Sequence, residues 1–210
     1  NLSHGPLSAH KDWLDIIHAV GIPQLLIDLQ GPELRIGTLT RPLVLEPGQS
    51  LRLGQGGVPC PAALVQAARP GQDLLLDDGR LFVQVAGADG AALQCTVVRG
   101  GTLQSRKSLA APGLEVASPT LTEADLQNLQ LAEACGVTGV MLPFVRGAED
   151  IRTLRRALEQ AGAGQIRIFA KIANLAGVRT LPEFLPLVDE VVIARRDLGN
   201  AMPLWELLSL

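Results

Sequence analysis

Lysine is scarce in this sequence: three residues against fifteen arginines in a chain of 210. Charge of either sign is thin, with Asp, Glu, Lys and Arg at 19% and a formal net charge of −3. The arginines are scattered and pair locally with acids, which leaves no basic stripe for a nucleic-acid backbone. Cysteine is just as rare. Cys60, Cys95 and Cys135 are spaced for neither a disulfide framework nor a metal site, and read as small core hydrophobes of a reducing, cytoplasmic compartment. No apolar run reaches the ~18 residues of a membrane span, and no secretory leader is visible. The chain does not begin with Met; NLSHG at 1–5 reads as the tail of an element already under way.

Apolar residues make up 47%, ample for one large domain or for one domain carrying an insertion. In 8–21, Trp13, Ile16, Ile17 and Val20 recur at helical spacing, with Ser8 as N-cap and Gly21 as stop. QLLIDL at 24–29 is a continuous apolar run suited to a parallel strand buried on both faces. Between about 38 and 118 the texture changes. Short β-like pieces (43–45, 51–53, 74–76, 81–85, 93–98) alternate with turns, and Asp77-Asp78-Gly79 and Asp89-Gly90 are hairpin signals. Thr122, with Asp125 three residues on, is a cap-like helix start; Leu126, Leu129 and 132–135 give that helix its stripe, and Gly136 ends it. Strands follow at 139–144, 166–172 and 190–194. Helices are expected at 148–161, with Arg152, Arg155 and Arg156 outward, at 180–187, interrupted by Pro182 and Pro186, and at 203–210.

Alternating strands and helices predict βα repeats on a parallel sheet. The four apolar strands are short and end at polar residues, which favours a (β/α)8 TIM-type barrel with its chemistry at the C-terminal strand ends. The barrel is partial in this chain, and a small all-β domain interrupts it. An open doubly wound sheet is the runner-up, although no Gly-rich phosphate loop follows the first strand. Four strands are half of what a barrel needs, so the sheet edges require cover from further residues or another chain.

The polar residues at these strand ends are Asn1, Ser3, Asp28, Glu33, Arg35, Arg146, Lys171 and Asp197. A lysine emerging from an apolar strand, with arginines and carboxylates on one rim, describes a site for a phosphorylated anion and a hard cation. Each residue also has a plainer reading: Asp28 and Asp197 as helix caps, Arg35 and Arg146 in rim ion pairs, Ser3 satisfying backbone.

The motifs at these positions resemble those of pyruvate kinases, in order and over essentially the whole chain. NLSHG (1–5) resembles N-F-S-H-G. DLQGPELRIG (28–37) resembles D-T-K-G-P-E-I-R-T-G. LDDG (76–79) resembles V-D-D-G, and GGTLQSRK (100–107) through Pro112-Gly113 resembles G-G-x-L-G-S-x-K-G-x-x-x-P-G. LTEAD (121–125) resembles L-T-E-K-D, and FVR (144–146) resembles F-I-R. KIAN (171–174) with GVR (177–179) resembles K-I-E-N…G-V-R, and ARRDLG (194–199) resembles A-R-G-D-L-G.

The resemblance implies barrel parts at 1–37 and 116–210 around a mobile β-rich lid at 38–115. It implies phosphoryl transfer between phosphoenolpyruvate and ADP, giving pyruvate and ATP, in a cytoplasmic homo-oligomer that binds no nucleic acid and no membrane. Asn1, Ser3, Asp28 and the backbone of Leu29 would hold K⁺, and Asp197 would hold Mg²⁺ or Mn²⁺. Arg35, His4 and Asp78 would meet the nucleotide. Lys171 would stabilise the transferring phosphoryl group, and the backbone of Arg196 and Asp197 would cradle the substrate carboxylate.

The departures bear on activity. Ala173 stands where the family has its second carboxylate ligand to the divalent ion, and a methyl group coordinates nothing. Arg196 replaces the glycine that lets backbone approach the substrate, and Leu29-Gln30 replace T-K. Three functions compete: an impaired pyruvate kinase, a non-catalytic relative with a binding or interaction role, and a metal-dependent pyruvate-type lyase or aldolase.

Overall fold

The computed structural model describes residues 1–114, 116 and 118–201, apart from the side chains of Arg196, Asn200 and Ala201. The helix expected at 203–210 lies outside these residues. In chain order the elements are α1 (Lys11–Val20), β1 (Leu26–Asp28), β2 (Leu43–Leu45), β3 (Ser50–Gly54), α2 (Ala62–Ala67), β4 (Asp73–Leu76), β5 (Leu81–Ala88), β6 (Ala92–Arg99), β7 (Gly101–Leu103), β8 (Leu109–Ala110), α3 (Glu123–Ala132), β9 (Gly139–Leu142), α4 (Ala148–Gln160), β10 (Arg167–Ile172), α5 (Leu175–Phe184), β11 (Glu190–Ile193) and α6 (Arg195–Ala201). They form two compact units, one from Asn1–Pro32 with Pro119–Gly199 and one from Glu33–Ser118.

The first unit is α/β. Its sheet is wholly parallel, in the order β1-β9-β10-β11. Strand residues alternate between faces, and in β10 the burial alternates too. Ile168, Ala170 and Ile172 are buried in the core with Ile151, Leu154 and Leu158 of α4, while Arg167, Phe169 and Lys171 share the other face. Burying each such leucine or isoleucine contributes roughly 1.5–3 kcal/mol. Gly139 is needed on the second face: a Cβ there would lie 2.8 Å from the Phe169 ring.

Several local expectations for this unit are corrected. Residues 2–4 form a 3₁₀ turn capped by the Asn1 side chain. Ser8 is no cap, because Leu7–His10 is itself a 3₁₀ turn, so α1 begins three residues later with no side-chain cap bond. Gly21 does stop α1, in the left-handed conformation at φ 72°. The stripe of Trp13, Ile16 and Val20 is not core; these residues are 71%, 62% and 70% exposed. Only Leu14 of α1 is buried, because α1 precedes β1, the terminal strand of the described sheet. Helix α5 starts at Leu175, not at 180, because Asn174 caps it by accepting from Gly177 N. It then runs through Pro182 into a 3₁₀ turn at Leu185–Leu187.

The second unit is antiparallel. Its five-stranded sheet has the order β3-β6-β5-β4-β8, with β2 and β7 paired separately. The expected hairpin turns at 77–79 and 89–90 join β4 to β5 and β5 to β6. Helix α2 and the short strands β7 and β8 have no counterpart in the sequence reading. Burial pushes the Cys60 thiol up to about 11 and that of Cys95 up to about 12, in keeping with unreactive core cysteines. Among the described residues no helix is long and apolar enough to cross a membrane.

Candidate functional site

In the first unit the expected residues gather at the C-terminal ends of the parallel strands. Lys171 is next to last in β10, on the face not covered by α4, and its Nζ lies 3.5 Å from Asp197 Oδ2 at the first turn of α6. Both side chains are partly buried, at 26% and 34% exposure. Ala173, two residues beyond Lys171, is 6% exposed and offers only a methyl group. Asn174 turns the chain into α5, and its Nδ2 donates to Val145 O.

Asp28 ends β1 and is paired across the ladder with Met141. Its Oδ2 accepts from Asn1 Nδ2 at 2.7 Å, and Asn1 Oδ1 in turn accepts from Ser3 N at 2.8 Å. Asp28 Oδ1 is buried with no hydrogen-bond partner. Burial raises the Asp28 pKa above the ordinary carboxylate value, and the charge of Lys171 opposes that rise. A buried carboxylate oxygen without a donor is costly unless a cation meets it. The set implied by the resemblance, Asp28, Asn1, Ser3 and the carbonyl of Leu29, would offer only oxygens, the donor chemistry a hard monovalent ion such as K⁺ takes, and the unpartnered Asp28 Oδ1 fits that chemistry. Leu29 is 2% exposed, and its N–H is already donated to Met141 O.

A divalent ion fares differently. Among the described residues no group of three or more His, Cys, Asp or Glu could hold a metal. Asp197 is engaged by Lys171. The residues present do not supply the two-carboxylate set that the sequence motif calls for.

Arg146 follows the plainer reading. Its guanidinium grips Asp150, with Nη2 2.8 Å from Oδ1 and Nε 3.1 Å from Oδ2, and Thr120 Oγ1 donates to Asp150 Oδ1 at 2.5 Å. Burial alone would raise the Asp150 pKa, but the bonds from Arg146 and Thr120 outweigh it and hold the carboxyl below the ordinary value. His4 is exposed on the first 3₁₀ turn. The Arg196 side chain lies outside the described residues.

In the second unit, Arg35 and Asp78 converge on Ser108. Arg35 forms a β-bridge with Ser108, bonds Glu33 through Nε at 2.8 Å and donates Nη1 to Arg106 O at 2.8 Å. Ser108 Oγ donates to Asp78 Oδ1 at 2.9 Å and accepts from Asp78 N at 2.8 Å. The turn is strained: Asp77 and Asp78 stand at φ 50° and 56°. Lys107 Nζ, 2.8 Å from Asp77 Oδ1, ties it down.

The sequence reading missed one fully buried carboxylate beside the site. Asp125 was expected only to start α3; it also binds the backbone of Gln30 and Gly31. No local pattern announces a bond made across so much sequence.

The whole chain, residues 1–210, matches the family described as pyruvate kinase, barrel domain. It is 32% identical to the pyruvate kinase of Chlamydia pneumoniae, over 100% of this chain and 46% of that protein. It is 35% identical to the pyruvate kinase of Aeropyrum pernix, over 99% of this chain and 47% of that protein. The chain spans about half the length of the curated relatives it matches.

Proposed function

The chain belongs to the pyruvate kinase family, and on that premise we propose that it serves phosphoryl transfer between phosphoenolpyruvate and ADP, giving pyruvate and ATP, at a rate held down by its divalent-metal position. The proposed setting is glycolysis in the cytoplasm, in a homo-oligomer whose (β/α)8 barrel is interrupted by a lid at 38–115. The observation that carries the reading is the Lys171–Asp197 pair at 3.5 Å with the Ala173 methyl where a carboxylate belongs.

Phosphoryl transfer asks little covalent chemistry of a protein; it asks for positioning and for charge placed where charge develops. Lys171 meets both needs. Its stem is anchored in β10 and its side chain is mostly shielded from water, which suits it to neutralise the oxygens of a transferring phosphoryl group. Asp197 holds that ammonium in place, and the backbone N–H groups of residues 196–197 face the substrate carboxylate. Arg35 would meet a nucleotide phosphate by exchanging its present partners, Glu33 and Arg106 O, for phosphate oxygens; Asp78 and His4 are further nucleotide contacts by resemblance. Asn1, Ser3, Asp28 and the Leu29 carbonyl would hold K⁺, which would supply fixed positive charge toward the anionic substrate. No step is assigned to Mg²⁺ or Mn²⁺, because the donor set falls short.

A coupled assay of ATP formation from phosphoenolpyruvate and ADP, with Mg²⁺ and K⁺, tests this reading. Turnover on the order of 10³ below that of a relative with the second carboxylate is expected, about 4 kcal/mol of lost transition-state stabilisation. Turnover at the relative's rate overturns the impairment. The Ala173 methyl also favours a second reading, a non-catalytic relative that retains anion binding. That reading requires no turnover at all, together with measurable binding of phosphoenolpyruvate.

A further inference from the structure

We propose that Asp125 is a positioning residue for the monovalent-cation oxygens at the end of β1. The proposal rests on the reading that Asp28 and Leu29 hold K⁺. Asp125 is 0% exposed. Its Oδ1 accepts from Gln30 N at 3.1 Å and Gly31 N at 3.3 Å, and its Oδ2 accepts from Gly31 N at 3.2 Å, Thr122 N at 2.9 Å and Thr122 Oγ1 at 2.7 Å. One carboxylate therefore completes the capping box of α3 and grips the two residues that directly follow Leu29.

That grip matters because the Leu29 carbonyl belongs to the peptide unit whose N–H is Gln30 N. Fixing that N–H on Asp125 fixes the direction in which the carbonyl points. The turn is held from the other side as well. Gly31 is left-handed at φ 62°, and a Cβ on it would fall 2.5 Å from Pro143 Cγ. Leu29 N, bonded to Met141 O at 3.1 Å, secures the preceding peptide. The oxygens of residues 28 and 29 are thus presented by a clamped turn, and the carboxylate of that clamp comes from another element. Partners of this kind typically change metal affinity by about 10–100-fold when removed.

A capping residue also stabilises its helix, so the test must separate the two roles. Thermal unfolding of the 210-residue chain is followed against KCl, with tetramethylammonium chloride keeping ionic strength constant. Ion binding to the folded state raises Tm with a midpoint that reports affinity. The wild type is expected to show a K⁺-specific rise. Asp125→Asn, which replaces one acceptor oxygen by a donor, moves the midpoint up at least about tenfold. Thr122→Val, which removes the cap hydroxyl but leaves the carboxylate on Gln30 and Gly31, lowers Tm without moving the midpoint. Should Asp125→Asn not fold, Asp125→Glu keeps the charge but shifts its oxygens by one methylene, and is held to the same displaced midpoint. A wild-type midpoint in the Asp125 variant, or an equal displacement in Thr122→Val, overturns the positioning role alone. Absence of any K⁺-specific rise in the wild type overturns the cation reading and the proposal with it.

Discussion

The two units solve opposite problems of chain economy. In Glu33–Ser118 two pairings join sequence neighbours, Leu76 with Leu81 across one turn and Ala88 with Leu93 across the next, while β3 meets β6 and β2 meets β7 across longer stretches. In the first unit every pairing is remote, as when Leu26 meets Gly139. Local pairings close at little entropic cost, whereas parallel ones must close long loops first. The antiparallel unit has a core of its own, with Leu53, Leu74, Leu76, Val83 and Leu93 at 0% exposure. The parallel unit carries the polar strand ends, but it also leaves Trp13, Ile16, Val20 and Ile193 exposed beside its terminal strands.

Four changes break or sharpen that contrast. The largest effect belongs to the strand ends. Ala173→Glu with Arg196→Gly is expected to raise ATP formation on the order of 10³, about 4 kcal/mol, and unchanged activity and Mg²⁺ affinity would mean that the lesion lies elsewhere. Next, Leu93→Ala hollows the antiparallel core and should cost about 3 kcal/mol, confined to its own unit. Hydrogen exchange reads this directly: amides of β3 to β6 should speed up while those of β9 and β10 do not, and a uniform change would deny the unit its independence.

The third change concerns pH. The folded pKa of Asp150 is held below its unfolded value, so its contribution is present above the ordinary carboxylate range, near ~4, and is lost as pH falls through the lower folded value. Asp150→Asn should cost about 1–3 kcal/mol at neutral pH and flatten the acid limb of the parallel unit's stability; an acid limb identical to wild type refutes the assignment. The smallest effect is Ile16→Lys. With that side chain 62% exposed, stability should stay within about 0.5 kcal/mol, and a larger loss in thermal melts would show that this face is covered.

What was legible in the sequence follows the same division. Turns written in two or three residues, such as Asp77-Asp78-Gly79, were readable because their backbone requirements are local. The parallel strands were readable from apolar runs, and the order of motifs carried the family. Longer-range facts were not. The periodicity of α1 marked an apolar face truly but did not say whether the described chain covers it. Pro182 suggested a break, yet Asn174 starts α5 early enough for the helix to absorb it. The contact between Lys171 and Asp197 joins two residues named from the sequence, and an ion pair for Arg146 was among the readings, but its partner Asp150 emerged only from distances.

The clearance between Gly31 and Pro143 imposes an order on descent. A side chain at 31 collides with the proline ring at 2.5 Å in addition to its left-handed strain. A lineage can accept even a tolerant residue such as asparagine at 31 only after position 143 has become smaller. The reverse route passes through an ill-folded intermediate. Comparing Gly31→Asn in the wild-type and Pro143→Ala backgrounds by thermal denaturation would expose this dependence as non-additivity. The two positions, far apart in the chain, are coupled through that one contact.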